Sequence, residues 1–200
     1  MTQSMHVEQA AARLLEAGQV LILCHKNPDG DTIGCGAALC HVLNGMGRQA
    51  AVLCADPIPP RLSFTRPRLF RGEFVPDLVV AVDVAGVALL GDAGLMPAYS
   101  RHVDLCIDHH AGNGGYADCT LLDASAAAAA ELLWEVLQAM GAEITPLVAD
   151  CLYTGLATDT GCFRFANTTA RTHRVAAGLI EAGARVEELS TILFATRSRG

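Results

Sequence analysis

Three potential metal ligands lie within the segment HKNPDGD, which runs from His25 to Asp31. One imidazole (His25) and two carboxylates (Asp29 and Asp31) at this spacing suit a hard or borderline divalent cation. The segment follows an apolar run typical of a buried strand, and its Asn-Pro-Asp-Gly sequence predicts a turn. The same residues also fit a strand followed by an Asx-type turn and an aspartate helix cap, so this segment alone leaves both interpretations open.

Two further apolar runs are followed by residues of the same kind. Asp83 follows the run 78–82, and Asp108-His109-His110 follows the run 103–107. Because the carboxyl ends of parallel strands meet at one edge of an open α/β sheet, we expect these groups to converge there. Asp159, which we predict to lie in a Gly-bounded break after a helix, would join them.

So many carboxylates in one place would repel one another, and the chain has a single lysine, Lys26. Metal ions would supply the missing positive charge. Two divalent ions about 3.5–4 Å apart can clamp a phosphate and activate water, and a mixed set of aspartates and histidines is compatible with Mn²⁺. Each aspartate alone could be a cap or a turn residue, but their joint occurrence at strand ends favours a two-metal site.

The elements that must position these residues alternate as in α/β proteins. The runs before Asp83 and Asp108 are apolar almost throughout, which is typical of parallel strands buried on both faces. The predicted strands are residues 20–24, 51–54, 78–82 and 103–107, with a further short one at 121–122. The predicted helices are residues 7–17, 31–46, 125–140, 146–158, 169–182 and 186–195.

Composition restricts the partners and the compartment. The 200 residues carry 14 basic and 21 acidic side chains, a net charge of −7, which disfavours binding along a long nucleic-acid track. The eight cysteines form no C-x-x-C pair, and the first residues read as an acidic amphipathic helix instead of a signal peptide. The most apolar stretch, 78–90, contains an aspartate and falls short of the roughly 20 residues that span a bilayer. We therefore expect a cytoplasmic protein without a membrane partner.

Three other features carry less weight. The sequence Gly34-Cys35-Gly36 begins like a dinucleotide-binding fingerprint but lacks the third glycine, so it predicts little. The arginine-rich segment 56–74 fits a basic patch for an anionic ligand, and fits better a solvated connector. We interpret the remaining histidines as structural or solvated, without carboxylate neighbours: His6, His41, His102 and His173.

Taken together, the motifs resemble those of the DHH phosphoesterase superfamily, with its RecJ-like N-terminal domain. The shared pattern is His-x-x-x-Asp-x-Asp, a strand-terminal Asp, Asp-His-His and Thr-Asp-Thr-Gly, and it extends over nearly the whole chain. Among the members, the small bifunctional oligoribonuclease/pAp phosphatases, or nanoRNases, are the most similar. The resemblance implies a three-layer α/β domain with a five-stranded parallel sheet flanked by helices.

The resemblance also implies roles for single residues. One Mn²⁺ would be held by His25, Asp29 and Asp83, and a second by Asp31, Asp83, His109 and Asp159, so that Asp83 bridges the two. His110 would face the substrate phosphate, and Asp108 would support the site behind it; we assign both to catalysis. We also assign Arg164, in the last motif, to substrate binding together with His110.

The implied activity is manganese-dependent hydrolysis of short oligoribonucleotides to mononucleotides, of pAp to AMP, or of both. Exopolyphosphatase, pyrophosphatase and cyclic dinucleotide phosphodiesterase activities of the same superfamily remain alternatives, as does a nucleotide-binding module without turnover. The expected partner is a short oligoribonucleotide or a nucleotide, and a homodimer is left open.

The sequence departs from the family pattern in two places. Hydroxyl residues usually stand near the start of the helix after Asp-His-His, whereas here only Ser125 precedes the alanines at 126–130. Family members also continue into a smaller substrate-binding domain with a Gly-rich, His-containing motif, which residues 1–200 lack. We therefore expect residues 1–200 to be the catalytic domain, as a fragment or by itself, with its metal-bearing edge open to solvent.

Overall fold

A parallel six-stranded sheet organises the protein, whose computed structural model describes residues 2–195. The strand order is β1-β6-β5-β4-β2-β3, and every neighbouring pair is parallel. The strands are β1 (Gln3–Ser4), β2 (Gln19–Cys24), β3 (Gln49–Cys54), β4 (Leu78–Val82), β5 (Leu105–Asp108) and β6 (Cys119–Leu122).

The predicted α/β class, a parallel sheet flanked by helices, is confirmed, with six strands instead of five. The additional strand, β1, is a two-residue edge strand held by hydrogen bonds from the Gln3 amide to the Asp118 carbonyl (2.8 Å) and from the Met5 amide to the Thr120 carbonyl (2.9 Å). Both of its residues are exposed. Such a short polar strand has no alternation that a sequence pattern could detect.

Seven α-helices lie within the described residues, together with two short 3₁₀ helices at Pro60–Thr65 and Val87–Leu89 and a π-helical turn at Thr191–Ala195. The predicted helix 186–195 is therefore a short α-helix followed by that turn. The α-helices are α1 (Val7–Glu16), α2 (Gly30–Gly45), α3 (Met96–Tyr99), α4 (Ala129–Ala139), α5 (Pro146–Asp159), α6 (Ala170–Glu181) and α7 (Val186–Ser190).

Two predicted boundaries around the site are wrong. The helix predicted from Ser125 begins only at Ala129, because Asp123 accepts the Ser125 amide in an Asx turn and Ala128 is extended. Alanine favours helix, but the Asx turn at Asp123 and the hydrogen bonds from the Ala129 and Ala130 amides to Asp31 override that propensity. Asp159, predicted to lie in a break after a helix, is instead the last residue of α5.

The two faces of the sheet are covered differently. Helices α1, α2, α4, α5 and α6 pack on one face, around Val20, Ile22 and Val80. The other face, around Leu21 and Leu23, is covered by connecting segments and α3. The arginine-rich segment supplies part of this cover through its buried Phe70 and Phe74, so it is more than the solvated connector that we predicted. All eight cysteines are free thiols, and no helix of the described part is long and apolar enough to cross a membrane.

Candidate metal centre

The predicted site residues lie at the carboxyl edge of the sheet, where the strand order reverses between β2 and β4. His25 follows β2, Asp83 follows β4, and Asp108 is the last residue of β5. Because the strands to either side of this point are connected in opposite directions, their helices diverge and leave a crevice between them. The topology thus explains why residues distant in sequence meet here.

The first group consists of His25, Asp29 and Asp83, whose ligand atoms all lie within 4.8 Å of one another. His25 Nε2 is 3.6 Å from Asp29 Oδ1 and 3.7 Å from Asp83 Oδ2. His25 Nδ1 lies 2.8 Å from the carbonyl of Lys26 and must donate to it, since a carbonyl only accepts. In a neutral ring this leaves the Nε2 lone pair for a metal ion, the usual arrangement behind a metal-binding histidine.

The second group forms around His109. Its Nε2 lies 3.5 Å from Asp83 Oδ1, 3.3 Å from Asp159 Oδ2 and 4.0 Å from Asp31 Oδ2. Its Nδ1 faces the Ala126 carbonyl at 3.2 Å, so Nε2 again keeps its lone pair in the neutral ring. Asp83 therefore belongs to both groups and directs one carboxylate oxygen toward each histidine.

Asp29 and Asp31 are each held by the amino-terminal end of a helix, α2 for Asp29 and α4 for Asp31. Asp29 is the N-cap of α2 and accepts hydrogen bonds from the amides of Asp31 and Thr32, as an aspartate cap does. Asp31, fully buried, accepts from the amides of Ala129 (2.6 Å) and Ala130 (3.1 Å) at the start of α4. The alanine run thus serves the site through its backbone, because only a helix that begins at Ala129 presents these two amides.

Close packing of α2 on α5 brings Asp31 and Asp159 together. A Cβ at Gly34 would lie 2.3 Å from the Cys151 carbonyl, and a Cβ at Gly155 would lie 2.3 Å from Asp31 Oδ1. Both distances are far below van der Waals contact, so the two glycines set the separation of the helices. A side chain at either position would force the helices apart and separate the two carboxylates.

Asp83 adopts a left-handed backbone conformation, with φ at +58°. Such values are uncommon outside glycine, although aspartate and asparagine tolerate them better than other residues. The turn directs the carboxylate back across the strand ends and leaves it 3% exposed. Strained backbone of this kind is often retained where it serves a function.

Two atoms at the centre of the cluster, Asp83 Oδ1 and His109 Nε2, are buried and have no hydrogen-bond partner within the described residues. Buried polar atoms without a partner are costly and call for an explanation such as an ion. A divalent cation between carboxylates and neutral imidazoles would satisfy both atoms and offset the repulsion. The residues present therefore fit the predicted metal site.

The pKa values of the metal-free site also indicate that its negative charge needs to be compensated. Burial lowers the pKa of His25, but the carboxylates of Asp29 and Asp83 outweigh burial and raise that pKa from 6.5 to about 10. Burial likewise lowers the pKa of His109, while its carboxylate neighbours raise it to about 11. Burial, and then the charges of Asp83 and Asp159, raises the pKa of Asp31. Without metal, bound protons compensate the negative charge.

We expect the stability of the metal-free protein to fall as the pH rises from 6.5 toward 10. Histidines whose pKa is raised in the folded state stabilise it fully below their ordinary pKa of 6.5 and cease to do so as the pH passes about 10 for His25 and about 11 for His109. With Mn²⁺ the sign reverses, because metal binding requires neutral imidazoles. Urea unfolding in EDTA and in Mn²⁺ across this pH range measures both slopes.

In EDTA, the stability of the double variant His25→Gln/His109→Gln should depend much less on pH than that of the wild type. Mn²⁺ should not stabilise this variant. A metal-free protein whose stability rises with pH over this range would contradict the assignment.

His110 lies at the solvent side of the second group, with Nδ1 3.6 Å from Asp83 Oδ1 and 47% of its side chain exposed. Its Nδ1 donates to Asp108 Oδ1 at 2.8 Å, and that hydrogen bond raises the pKa of His110. Asp108 is fully buried and is itself fixed by the amide of His109 and by the Asn113 side chain, at 2.9 and 2.6 Å. Nδ1 of His110 is thus engaged by Asp108, and Nε2 is the ring nitrogen that remains for another partner.

Sequence reasoning missed two supporting residues. Asn113 fixes Asp108, and the Thr32 hydroxyl donates to the Val82 carbonyl (3.0 Å) and accepts the His25 amide (3.3 Å), so it joins the ends of β2 and β4 to α2. A polar residue in a glycine-rich loop gives no periodic signal. Thr32, directly after Asp31, could have been suspected as part of the same loop motif.

His102 is exposed, as predicted, but the prediction that it has no carboxylate neighbours is wrong. Its Nε2 lies 3.3 Å from Asp104 Oδ1 and 3.4 Å from Asp118 Oδ2, so it does have carboxylate neighbours. Asp118 is distant in sequence and is brought close because β5 and β6 are paired. Within residues 2–195, His41 and His173 have no such neighbours: His41 contacts the Thr65 carbonyl and His173 stacks on Phe163.

Arg164, which we assigned to substrate binding, lies in the loop after α5. Its Nε donates to the Gly161 carbonyl at 2.8 Å, and the residue is exposed. Its terminal nitrogens make no hydrogen bond within the part of the chain that the structure describes. The side chain is therefore anchored at one end and available at the other.

Comparisons with known proteins agree with this geometry. The model of the DHH family, N-terminal domain, matches residues 19–156. The bifunctional oligoribonuclease and PAP phosphatase NrnA of Thermus thermophilus is 33% identical over 181 residues, which cover 90% of this chain and 55% of that protein. The NrnA of Bacillus subtilis is 26% identical, over 89% of this chain and 58% of that protein. The chain thus spans little more than half the length of these relatives.

Solved structures show the same fold. An exopolyphosphatase-related protein from Bacteroides fragilis superposes with a TM-score of 0.85 at 22% identity, over 97% of this chain and 61% of that one. The exonuclease RecJ, crystallised with manganese, gives a TM-score of 0.54 at 19% identity, over 95% of this chain and 55% of that one.

Proposed function

This chain belongs to the DHH family, and on that premise we propose that it is a manganese-dependent phosphoesterase that hydrolyses short oligoribonucleotides, pAp or both. The observation that carries the proposal is the position of Asp83. One of its carboxylate oxygens lies 3.7 Å from His25 Nε2 and the other 3.5 Å from His109 Nε2. A single carboxylate placed between two histidine–aspartate groups would contribute an oxygen to each of two cations bound there.

The proposed ligands divide as the two groups do. His25, Asp29 and Asp83 would hold one Mn²⁺, and the other would be held by Asp31, Asp83, His109 and Asp159. A pair of divalent cations supplies activated water and neutralises charge on the phosphoryl group. Asp29 and Asp31 are fixed by helix-end amides, so the chain holds its carboxylates in place before any ion arrives.

We assign His110 to contact with the substrate phosphate. Asp108 accepts the Nδ1 proton of His110 and raises the pKa of His110, which favours the protonated ring, whose Nε2–H is directed away from Asp108. Such a donor can stabilise a phosphoryl oxygen or pass a proton to the leaving group. Asp108, which does not face the substrate, acts through His110 as a positioning residue.

The fold and the metal site are compatible with several phosphoesters, and the similarity to the NrnA proteins favours nucleotide substrates. We propose residues 1–200 as the catalytic domain and Arg164 as a substrate-binding residue. A cytoplasmic location and assembly into a homodimer remain predictions.

With Mn²⁺, we expect the protein to release nucleoside monophosphate from a diribonucleotide or phosphate from pAp, at least about ten times faster than it cleaves pyrophosphate or tripolyphosphate. EDTA should abolish the activity, because the cations are needed both to activate the water and to neutralise charge on the phosphoryl group. Chromatographic product analysis with the four substrates measures this preference. A preference for pyrophosphate or tripolyphosphate would favour the alternative activities, and binding of nucleotide without turnover of any substrate would favour a binding module.

A further inference from the structure

The loop that follows Asp159 is held in a strained conformation. Gly161, Cys162 and Phe163 are consecutive and all have left-handed φ values, of 54°, 58° and 63°. For a bulky residue such as phenylalanine this conformation is an outlier, and it persists only where the surroundings enforce it. The Cys162 amide donates to the Ala157 carbonyl (2.7 Å) and the Phe163 amide to the Thr160 hydroxyl (3.0 Å).

The two phenylalanines of this loop have different surroundings. Phe163 packs inward between Tyr153 and His173, with ring centroids 5.8 and 5.5 Å apart. Phe165 is 58% exposed, more than any other phenylalanine among the described residues. Folding gains little from burying so little of this ring. Core packing therefore does not account for the position of this ring.

The exposed ring is nevertheless held in a defined place. A Cβ at Gly161 would lie 2.4 Å from the far end of the Phe165 ring, so the ring rests where only a glycine leaves room. The Phe165 amide donates to the Thr160 carbonyl (3.0 Å), and the Phe165 carbonyl accepts from the Thr168 amide (3.1 Å). An aromatic ring that is fixed but exposed is preorganised to receive a ligand.

The loop places this ring near the backbone of Asp159, one of the proposed metal ligands. Gly161 is two residues after Asp159, which limits their Cα atoms to a separation of about 7 Å. Asn167 closes the loop by donating its side-chain amide to the carbonyls of Asp159 (3.2 Å) and Ala127 (3.1 Å). Arg164, anchored on Gly161, contributes a cation at the same place.

We propose that Phe165 is a stacking platform for the nucleobase next to the phosphate that is cleaved. The proposal rests on the proposed function and makes it more specific, because inorganic polyphosphates have no group that such a platform would recognise. Every base has a π-face, so stacking tolerates any base and suits an enzyme that degrades short oligoribonucleotides of mixed sequence. Arg164 would meet the adjoining phosphate, as arginines do in nucleotide sites.

The test compares a substrate that has a base with one that does not. For Phe165→Ala we expect KM for pAp to rise about tenfold or more, with kcat and bound Mn²⁺ unchanged. Hydrolysis of methyl ribofuranoside 3,5-bisphosphate, which lacks the base, should be unaffected. Phe165→Leu, which keeps an apolar group on Gly161 but no aromatic face, should resemble Phe165→Ala, whereas Phe165→Trp should retain a low KM. Phe194→Ala removes another exposed phenylalanine and should change nothing.

Calorimetry of pAp binding, with Ca²⁺ in place of Mn²⁺, compares the wild-type protein with Phe165→Ala without depending on turnover. If the wild-type protein binds pAp about tenfold more tightly than Phe165→Ala but cleaves neither substrate, the proposed function fails and the stacking site stands. Equal binding and equal KM in the two proteins would overturn the stacking site. An equal loss on the base-free analogue would also overturn it, since the ring would then act only by holding the loop.

Discussion

Asp83→Asn is expected to abolish the binding of both metal ions and, with it, phosphoester hydrolysis. The Asp83 carboxylate directs one oxygen toward each histidine, and Asp83 Oδ1 is buried without a hydrogen-bond partner. Loss of a residue that only supports a metal ligand weakens metal binding about 10- to 100-fold, so loss of a bridging ligand should cost at least about 100-fold. Mn²⁺ content after gel filtration and kcat/KM for pAp measure the effect.

Asp83→Asn should not strain the backbone, because asparagine tolerates the left-handed conformation that residue 83 adopts. The matched control is Asp118→Asn, which neutralises an exposed carboxylate at the opposite end of the sheet and should leave Mn²⁺ content and turnover unchanged. An Asp83→Asn protein that keeps two ions per chain would show that this residue is not the bridge.

His110→Ala should have the second largest effect, a fall in kcat of about 10²- to 10⁴-fold with Mn²⁺ binding retained. His110 Nδ1 is engaged by Asp108 and nearly half of the side chain is exposed, so it is placed for the substrate and not for a metal ion. Parallel assays of Mn²⁺ affinity and of pAp hydrolysis separate the two roles.

Two other histidines serve as controls for this variant. His109→Ala removes a side chain whose Nε2 faces three carboxylates, and it should lose metal and activity together. His102→Ala removes an exposed histidine at the other end of the sheet and should change neither. If His110→Ala lost as much Mn²⁺ as His109→Ala, the roles of the two neighbouring histidines would be misassigned.

The sequence was sufficient to predict that the proposed metal ligands meet. Asp83 follows a run of five buried apolar residues, and the rule that parallel strands present their carboxyl ends at one edge then places it beside His25 and His109. The prediction needed no knowledge of the strand order. The order adds the reason for the crevice, which is the reversal between β2 and β4.

What holds these ligands in place could not be read from local patterns. Alanines 126–130 predict helix by propensity, but the helix begins at Ala129, where its first amides bind Asp31 across the domain. Gly34 and Gly155 look like weak points within helices, although their lack of side chains is what allows α2 and α5 to approach. Each of these features depends on a partner that is distant in sequence, which periodicity and propensity do not report.

The position of two manganese ions tests the central claim most directly. Crystals grown with Mn²⁺, with diffraction recorded at the manganese absorption edge, would locate each ion by its anomalous scattering. The account predicts two peaks per chain about 3.5–4 Å apart, one among His25, Asp29 and Asp83 and the other among Asp31, Asp83, His109 and Asp159. A single peak, or peaks only at the His102, Asp104 and Asp118 cluster at the opposite end of the sheet, would contradict it.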